Sequence, residues 1–147
     1  MKTEYEIVEA RNNKAIPVFA EMAVKMKDCN YKREDMLTYF EGHFGLPDFK
    51  VFVEPHLYGM MAVNVLEILS ERYLHIELLY TDPNHPKLTE QFIKVAENLG
   101  REWGLAKLRG TVRRQSLMRR YTARGEEKYG FLPEAIIIVK DISGGSQ

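Results

Sequence analysis

This 147-residue sequence is short of several things, and each shortage excludes a class of protein. Cys29 is its only cysteine, so no intrachain disulfide can form and no cysteine-built zinc site is possible. The four histidines, His43, His56, His75 and His85, are scattered and never spaced His-x-x-x-His, so no metal site is expected. No uninterrupted apolar run reaches the ~20 residues that a membrane span needs. Neither sign of charge is in excess, with 21 basic and 21 acidic residues. A net charge of zero argues against a bulk binder of polyanions and leaves local patches open. The first residues, MKTEYEIVEARNN, are too charged for a signal peptide, and a reducing, cytoplasmic compartment is the expectation.

What remains is ordinary globular material, 45% apolar and 11% aromatic, enough for one core. Residues 4–10 read as a strand, and Asn12 or Asn13 offers an N-cap to a helix carrying Ala15, Val18, Phe19, Met22 and Met26. Pro17 falls in that helix's first turn, where it is tolerated. Met36, Leu37, Phe40 and Phe44 predict a second helix over 33–44, stopped by Gly45 and Pro47. FKVFVEP is a strand with Val51 and Val53 on one face and Phe52 on the other. MMAVNVLEIL reads as a strand from its β-branched content, and a polar turn at Ser70–Arg72 leads to LHIELLYT, apolar on both faces and therefore central. These three strands predict an antiparallel meander. After TDPNHP, the residues Leu88, Phe92, Val95, Ala96, Leu99 and Trp103 mark a long helix over 86–103, ended by Gly104, with Trp103 assigned to the core. LAKLRGTV is a strand, 115–124 a helix, FLPEAIIIVKDI a last strand and 143–147 a frayed tail. No linker or repeat interrupts the chain, so residues 1–142 are expected to form one domain.

The order β-α-α-β-β-β-α-β-α-β resembles that of the GNAT superfamily of acyl-CoA N-acyltransferases. The resemblance runs from Tyr5 to Ile142 and is strongest in LHIELLYTDP, the long helix, LAKLRGTV, the short helix and YGFLPEAIIIVKDI, with Gly130–Phe131 as the Gly-Phe pair that enters the last strand. It implies an α/β (α+β) fold: a mixed, mostly antiparallel sheet of six to seven strands with helices on both faces. It further implies acetyl-CoA as co-substrate, a small-molecule or peptide amine as acceptor, and direct transfer in a ternary complex. Backbone at Leu79 and Tyr80 would hold the pantetheine arm, and the loop and helix start after that strand would cradle the pyrophosphate.

Glu77 sits between Ile76 and Leu78 on the expected central strand, where a carboxylate is costly unless solvated or paired. One reading is a general base that accepts the amine proton; the plainer alternative is a carboxylate facing a groove or paired with an arginine. The resemblance assigns Tyr121 as the acid that protonates the departing thiolate. Tyr121 shares a helical face with Leu117 and Met118 and could instead be packed, and Tyr129 competes for the role. The stretch Asp82-Pro83-Asn84-His85-Pro86-Lys87-Leu88-Thr89 departs from the family's glycine-rich phosphate loop: it has no glycine, and two prolines remove backbone donors. His85, Lys87, Leu88 and Thr89 are the donors left in that stretch.

Charge is distributed unevenly. From Arg101 to Lys128, nine basic residues face three acidic ones, a local net of +6 against −6 for the rest of the chain. Arg113 and Arg114 are candidates to bind the phosphates of CoA. The same patch could take nucleic acid or an acidic protein, or be a solvated face. Cys29–Arg33, with Tyr31, Tyr39 and His43, would border the acceptor groove or belong to ordinary packing. The edge strand 134–142 would favour a homodimer. Beside the enzyme stands a second reading, a non-catalytic binding or structural protein on the same fold, of the degenerate kind found in phages.

Overall fold

The computed structural model describes residues 5–25, 31–110 and 140. The chain divides into two compact units, Met1–Arg113 and Arg114–Gln147, and all described residues but Lys140 lie in the first. The helix over 115–124, the last strand, Gly130–Phe131, Tyr129 and Cys29 lie outside the described residues.

The order is β1 (Val8–Ala10), a 3-10 turn (Asn13–Ala15), α1 (Ile16–Val24), α2 (Arg33–His43), β2 (Phe49–Val53), β3 (Gly59–Ile68), β4 (Glu71–Thr81), α3 (Lys87–Glu102) and β5 (Leu108–Gly110). The five strands make one sheet in the order β1-β2-β3-β4-β5, antiparallel except for the parallel β4–β5 pair. The expected meander is therefore present, and the described residues supply five of the expected six to seven strands.

Alternation along the strands sorts two cores. Val51, Met60, Ala62 and Leu78 pack with Phe19, Met22, Met36 and Phe40 of α1 and α2. Phe52, Met61, Val63 and Leu74 pack on the opposite face with Leu88, Phe92, Ala96 and Leu99, the buried stripe of α3. Val53 joins the first core, so β2 divides its side chains as the sequence indicates.

Local chemistry sets the ends of the elements. The Asn12 side chain accepts from the Lys14 N–H at 2.9 Å and starts the turn that leads into α1. At the C-terminus of α3, the Leu105 N–H reaches the Gly100 carbonyl at 2.8 Å and the Gly104 N–H reaches that of Arg101 at 3.1 Å. This closure needs the left-handed backbone of Gly104, φ +73°. Two boundaries differ from expectation. β1 pairs only from Val8 to Ala10, because the chain before it docks on α3: the Tyr5 N–H donates to Gln91 Oε1 at 3.0 Å. The hairpin turn is Leu69–Ser70, not Ser70–Arg72. Both residues take positive φ, which suits a two-residue turn, and β4 begins at Glu71. No helix among the described residues is long and apolar enough to cross a membrane.

Candidate functional site

The site begins with an irregularity in β4. Ala62 pairs with Leu78 and Val63 with Ile76, so Glu77 is left as the extra residue of a β-bulge. A bulge re-aims a side chain and bends its strand. Leu74, Ile76 and Leu79 point to the α3 core, whereas Leu78 and Tyr80 point to the α1–α2 core. His75 and Glu77 therefore share the α1–α2 face. β5 pairs with β4 only at Leu74, His75 and Ile76, so among the described residues no strand covers the outer edge of β4 from Glu77 to Thr81.

Tyr39 of α2 looks onto this face. Burial, and next the negative charge of Glu77, push its phenol well above the ordinary value. Its ring stacks on His43 with centroids 4.4 Å apart, and His43 Nδ1 donates to the Tyr39 carbonyl at 2.8 Å. His75 is flanked in register by Asn64 on β3 and Arg109 on β5. Burial lowers the His75 pKa; the Glu77 charge pulls it back up and the Arg109 charge lowers it again, so the imidazole is held neutral. Two buried side-chain atoms have no hydrogen-bond partner among the described residues, Tyr39 Oη and His75 Nδ1, and Glu77 acts on both of their side chains. Leaving such a group unsatisfied costs about 1–3 kcal/mol.

The segment between β4 and α3 is ordered by hydrogen bonds from its backbone N–H groups. The Asp82 N–H donates to the Tyr58 carbonyl at 2.7 Å, the His85 N–H to the Asp82 carbonyl at 2.8 Å, the Asn84 N–H to Asp82 Oδ1 at 2.8 Å and the Leu88 N–H to the His85 carbonyl at 3.1 Å. Pro83 and Pro86 have no N–H to give. The β2–β3 turn props this segment from outside. Tyr58 stacks on His85 with centroids 3.9 Å apart, and His85 Nδ1 is hydrogen-bonded to Tyr5 Oη at 2.9 Å. Buried Glu54 accepts from the His56 N–H at 2.7 Å, His56 Nδ1 at 2.8 Å and the Tyr58 N–H at 3.3 Å. Burial raises the Glu54 pKa, and the His56 and Tyr58 hydrogen bonds outweigh it, so the net shift is downward.

The site residues expected from the sequence are placed as follows. Glu77, Leu79 and Tyr80 lie together on the end of β4 beyond its pairing with β5 among the described residues, all half-buried. Burial, and then Asp82, raise the Tyr80 phenol and keep it protonated. His85 is half-buried in the aromatic stack, and Lys87 is exposed at the first turn of α3. Leu88 is fully buried in the α3 core, and Thr89 Oγ1 is held 2.8 Å from Thr81 Oγ1. Arg113, Arg114 and Tyr121 lie outside the described residues. The sequence reading gave His75 no role; its signal was the His-x-Glu spacing, which puts both side chains on one face of a strand. Among the described residues no group of three or more candidate ligands could hold a metal ion.

For a CoA thioester the fit is divided. The edge of β4 that no described strand covers has the backbone groups that would pair with the amides of an extended pantetheine arm, much as a strand does. The loop does not offer the backbone cradle that pyrophosphates take at glycine-rich helix starts, because four of its N–H groups are already engaged, three within the loop and that of Asp82 with Tyr58. Phosphates there would be met by side chains, Lys87 foremost.

No protein-family model and no curated protein sequence matches the chain. Solved structures do. A predicted acetyltransferase from Clostridium acetobutylicum, determined with acetyl-CoA, superposes with a TM-score of 0.75 at 14% identity, over 98% of this chain and 100% of the other. An aminoglycoside N-acetyltransferase in complex with CoA gives 0.74 at 11% identity, over 96% and 97%. A transcriptional regulator from Bacillus halodurans gives 0.73 at 16% identity, over 94% and 99%. The fold of this chain is that of the GNAT acetyltransferases.

Proposed function

We propose that this protein is an N-acetyltransferase that moves an acetyl group from acetyl-CoA to a primary amine of a small molecule or peptide. The carrying observation is the position of Glu77: the unpaired residue of a bulge, on the strand whose outer edge is open among the described residues, in a fold whose neighbours were solved with CoA or acetyl-CoA. An amine acceptor arrives as an ammonium and must shed a proton before it can attack. Glu77 takes that proton, directly or through a water. Backbone groups at Leu79 and Tyr80 orient the thioester along β4. As the amine nitrogen bonds to the carbonyl carbon, the carbon–sulfur bond breaks, and Tyr121 returns a proton to the sulfur. Lys87, with Arg113 and Arg114, meets the phosphates in place of a backbone cradle. A cytoplasmic setting suits the co-substrate.

Calorimetry with acetyl-CoA, followed by release of free thiol in the presence of an amine panel, tests this reading. Binding and turnover are expected. Glu77→Gln should lower kcat by about 10²- to 10⁴-fold with acetyl-CoA affinity retained, the range for loss of a general base. No binding at about 1 mM acetyl-CoA would overturn the enzyme reading.

The internally bonded, glycine-free loop favours a second reading, a binding protein on the same fold without catalysis. Turnover that Glu77→Gln abolishes would remove it.

A further inference from the structure

A cavity of about 210 Å³ opens between Pro47, Asp48, Val65, Arg72, Trp103 and Leu105. It lies apart from Glu77. Arg72 is the second residue of β4, and Leu74 and Ile76, two and four places on, point to the α3 core, so Arg72 shares that face of the sheet and Glu77 the other. Backbone bonds fix the walls: the Val65 N–H donates to the Asp48 carbonyl at 3.2 Å, the Trp103 N–H to that of Leu99 at 2.9 Å and the Leu105 N–H to that of Gly100 at 2.8 Å. A cavity of roughly 150 Å³ holds benzene, so this one has room for a small organic molecule. Pro47, Val65, Trp103 and Leu105 give it an apolar lining. Asp48 and Arg72 are exposed, and neither side chain has a hydrogen-bond or ion-pair partner among the described residues. Two further charges stand near. Lys50 Nζ, 5.8 Å from the centre of the Trp103 ring, is held by Glu9 at 3.1 Å, and Glu67 is the cross-strand neighbour of Arg72 without forming an ion pair with it.

We propose that this cavity is a binding site for a free α-amino acid with an apolar side chain. Opposite charges left unpaired on one small cavity set the charge pattern of what fits it. A simple carboxylate gains Arg72 and is repelled by Asp48, and a simple amine meets the reverse. A molecule that carries both charges gains both. In an α-amino acid the carboxylate and the ammonium flank a single carbon, so the side chain is the one part left to enter the cavity. The planar guanidinium of Arg72 takes the carboxylate, Asp48 takes the ammonium, and the side chain packs against Trp103, Val65 and Leu105. A residue at either end of a peptide lacks one of the two charges and is disfavoured. The site is separate from the proposed acetyl transfer and does not rest on it.

Trp103 is the chain's only tryptophan, so in the nitrogen-labelled full chain its indole N–H gives a single NMR signal that reports from the cavity wall. The probes are L-leucine, isocaproate, which lacks the ammonium, and leucinamide, which lacks the carboxylate, at matched ionic strength and about pH 6.5, where the amine of leucinamide is protonated. Leucine should move the signal saturably with a midpoint of the order of 1 mM, and each of the other two should bind roughly tenfold more weakly, as expected for one lost charged hydrogen bond. Arg72→Gln should erase the preference for leucine over leucinamide, and Asp48→Asn the preference for leucine over isocaproate. Both residues are exposed, so both variants should fold, and the amide spectrum of each checks this. No saturable movement by about 50 mM leucine would overturn the site. Equal affinity for the three probes would reduce it to a plain apolar cleft and overturn the amino-acid assignment, as would preferences that survive both substitutions. Neither acetyl-CoA binding nor turnover enters the readout, so this proposal and the acetyltransferase reading fail independently.

Discussion

His75 shows how much one residue's surroundings can set. An exposed imidazole titrates near neutrality; here burial keeps it neutral against the pull of Glu77. The folded protein therefore binds fewer protons at this position than the unfolded chain, and stability falls as pH drops below the ordinary histidine value of about 6.5. The loss should continue until the pH passes the lower folded pKa and then level off. Urea midpoints measured from about pH 7.5 downward should show this decline, and it should be smaller in His75→Asn, whose side chain does not titrate in that range. Glu77 is legible in the sequence because an acid between Ile76 and Leu78 is conspicuous. That its charge acts on both Tyr39 and His75 is not, because these lie on a helix and a strand 36 residues apart in the chain and the effect depends on which face of α2 meets the sheet.

Two turns and one bulge position the site among the elements. Gly59 opens β3 where a Cβ would lie 2.7 Å from the Tyr80 carbonyl oxygen, 2.8 Å from Phe92 and 2.9 Å from Leu88. The nearest of these is backbone in β4, next to the site, and it cannot swing aside. Gly59→Ala should cost about 1–3 kcal/mol, read as a lower urea midpoint at unchanged m-value. In the β2–β3 turn, the contribution of Glu54 is present above the ordinary carboxylate range and is lost as pH falls through its depressed folded value. The gap in urea midpoint between the native chain and Glu54→Gln should therefore shrink as pH falls below the ordinary carboxylate range. Periodicity makes most elements readable: Val51 and Val53 against Phe52, and the stripe of α3. It hides the bulge, because one inserted residue within HIELLY shifts the alternation by a single place among residues that are mostly apolar. It also hides the Leu69–Ser70 turn, since neither side chain favours positive φ.

At the scale of the molecule, a net charge of zero conceals a +6 segment from Arg101 to Lys128 and a −6 remainder. The sheet, the two cores and the long helix are legible in the sequence because each rests on period and composition. How a phosphate-bearing ligand would be held is less so, because the absence of glycine shows what is missing and not that the loop bonds to itself. If cationic side chains replace the backbone cradle, acetyl-CoA affinity should fall steeply with salt. Raising ionic strength from about 0.05 M to about 0.5 M should weaken binding several-fold by calorimetry, whereas a cradle of backbone N–H groups would be less sensitive.

Within the sheet, position in space follows position in the chain, β1 to β5 without a skip. During synthesis from the N-terminus, β2, β3 and β4 each emerge after the strand they pair with, and short turns close the β2–β3 and β3–β4 pairs, whereas β1 and β2 are joined through α1 and α2. The parallel β5 must wait until α3 has been made and has crossed the sheet. The β2–β3–β4 meander can thus assemble on the ribosome in the order of translation, before the parallel β5 is made.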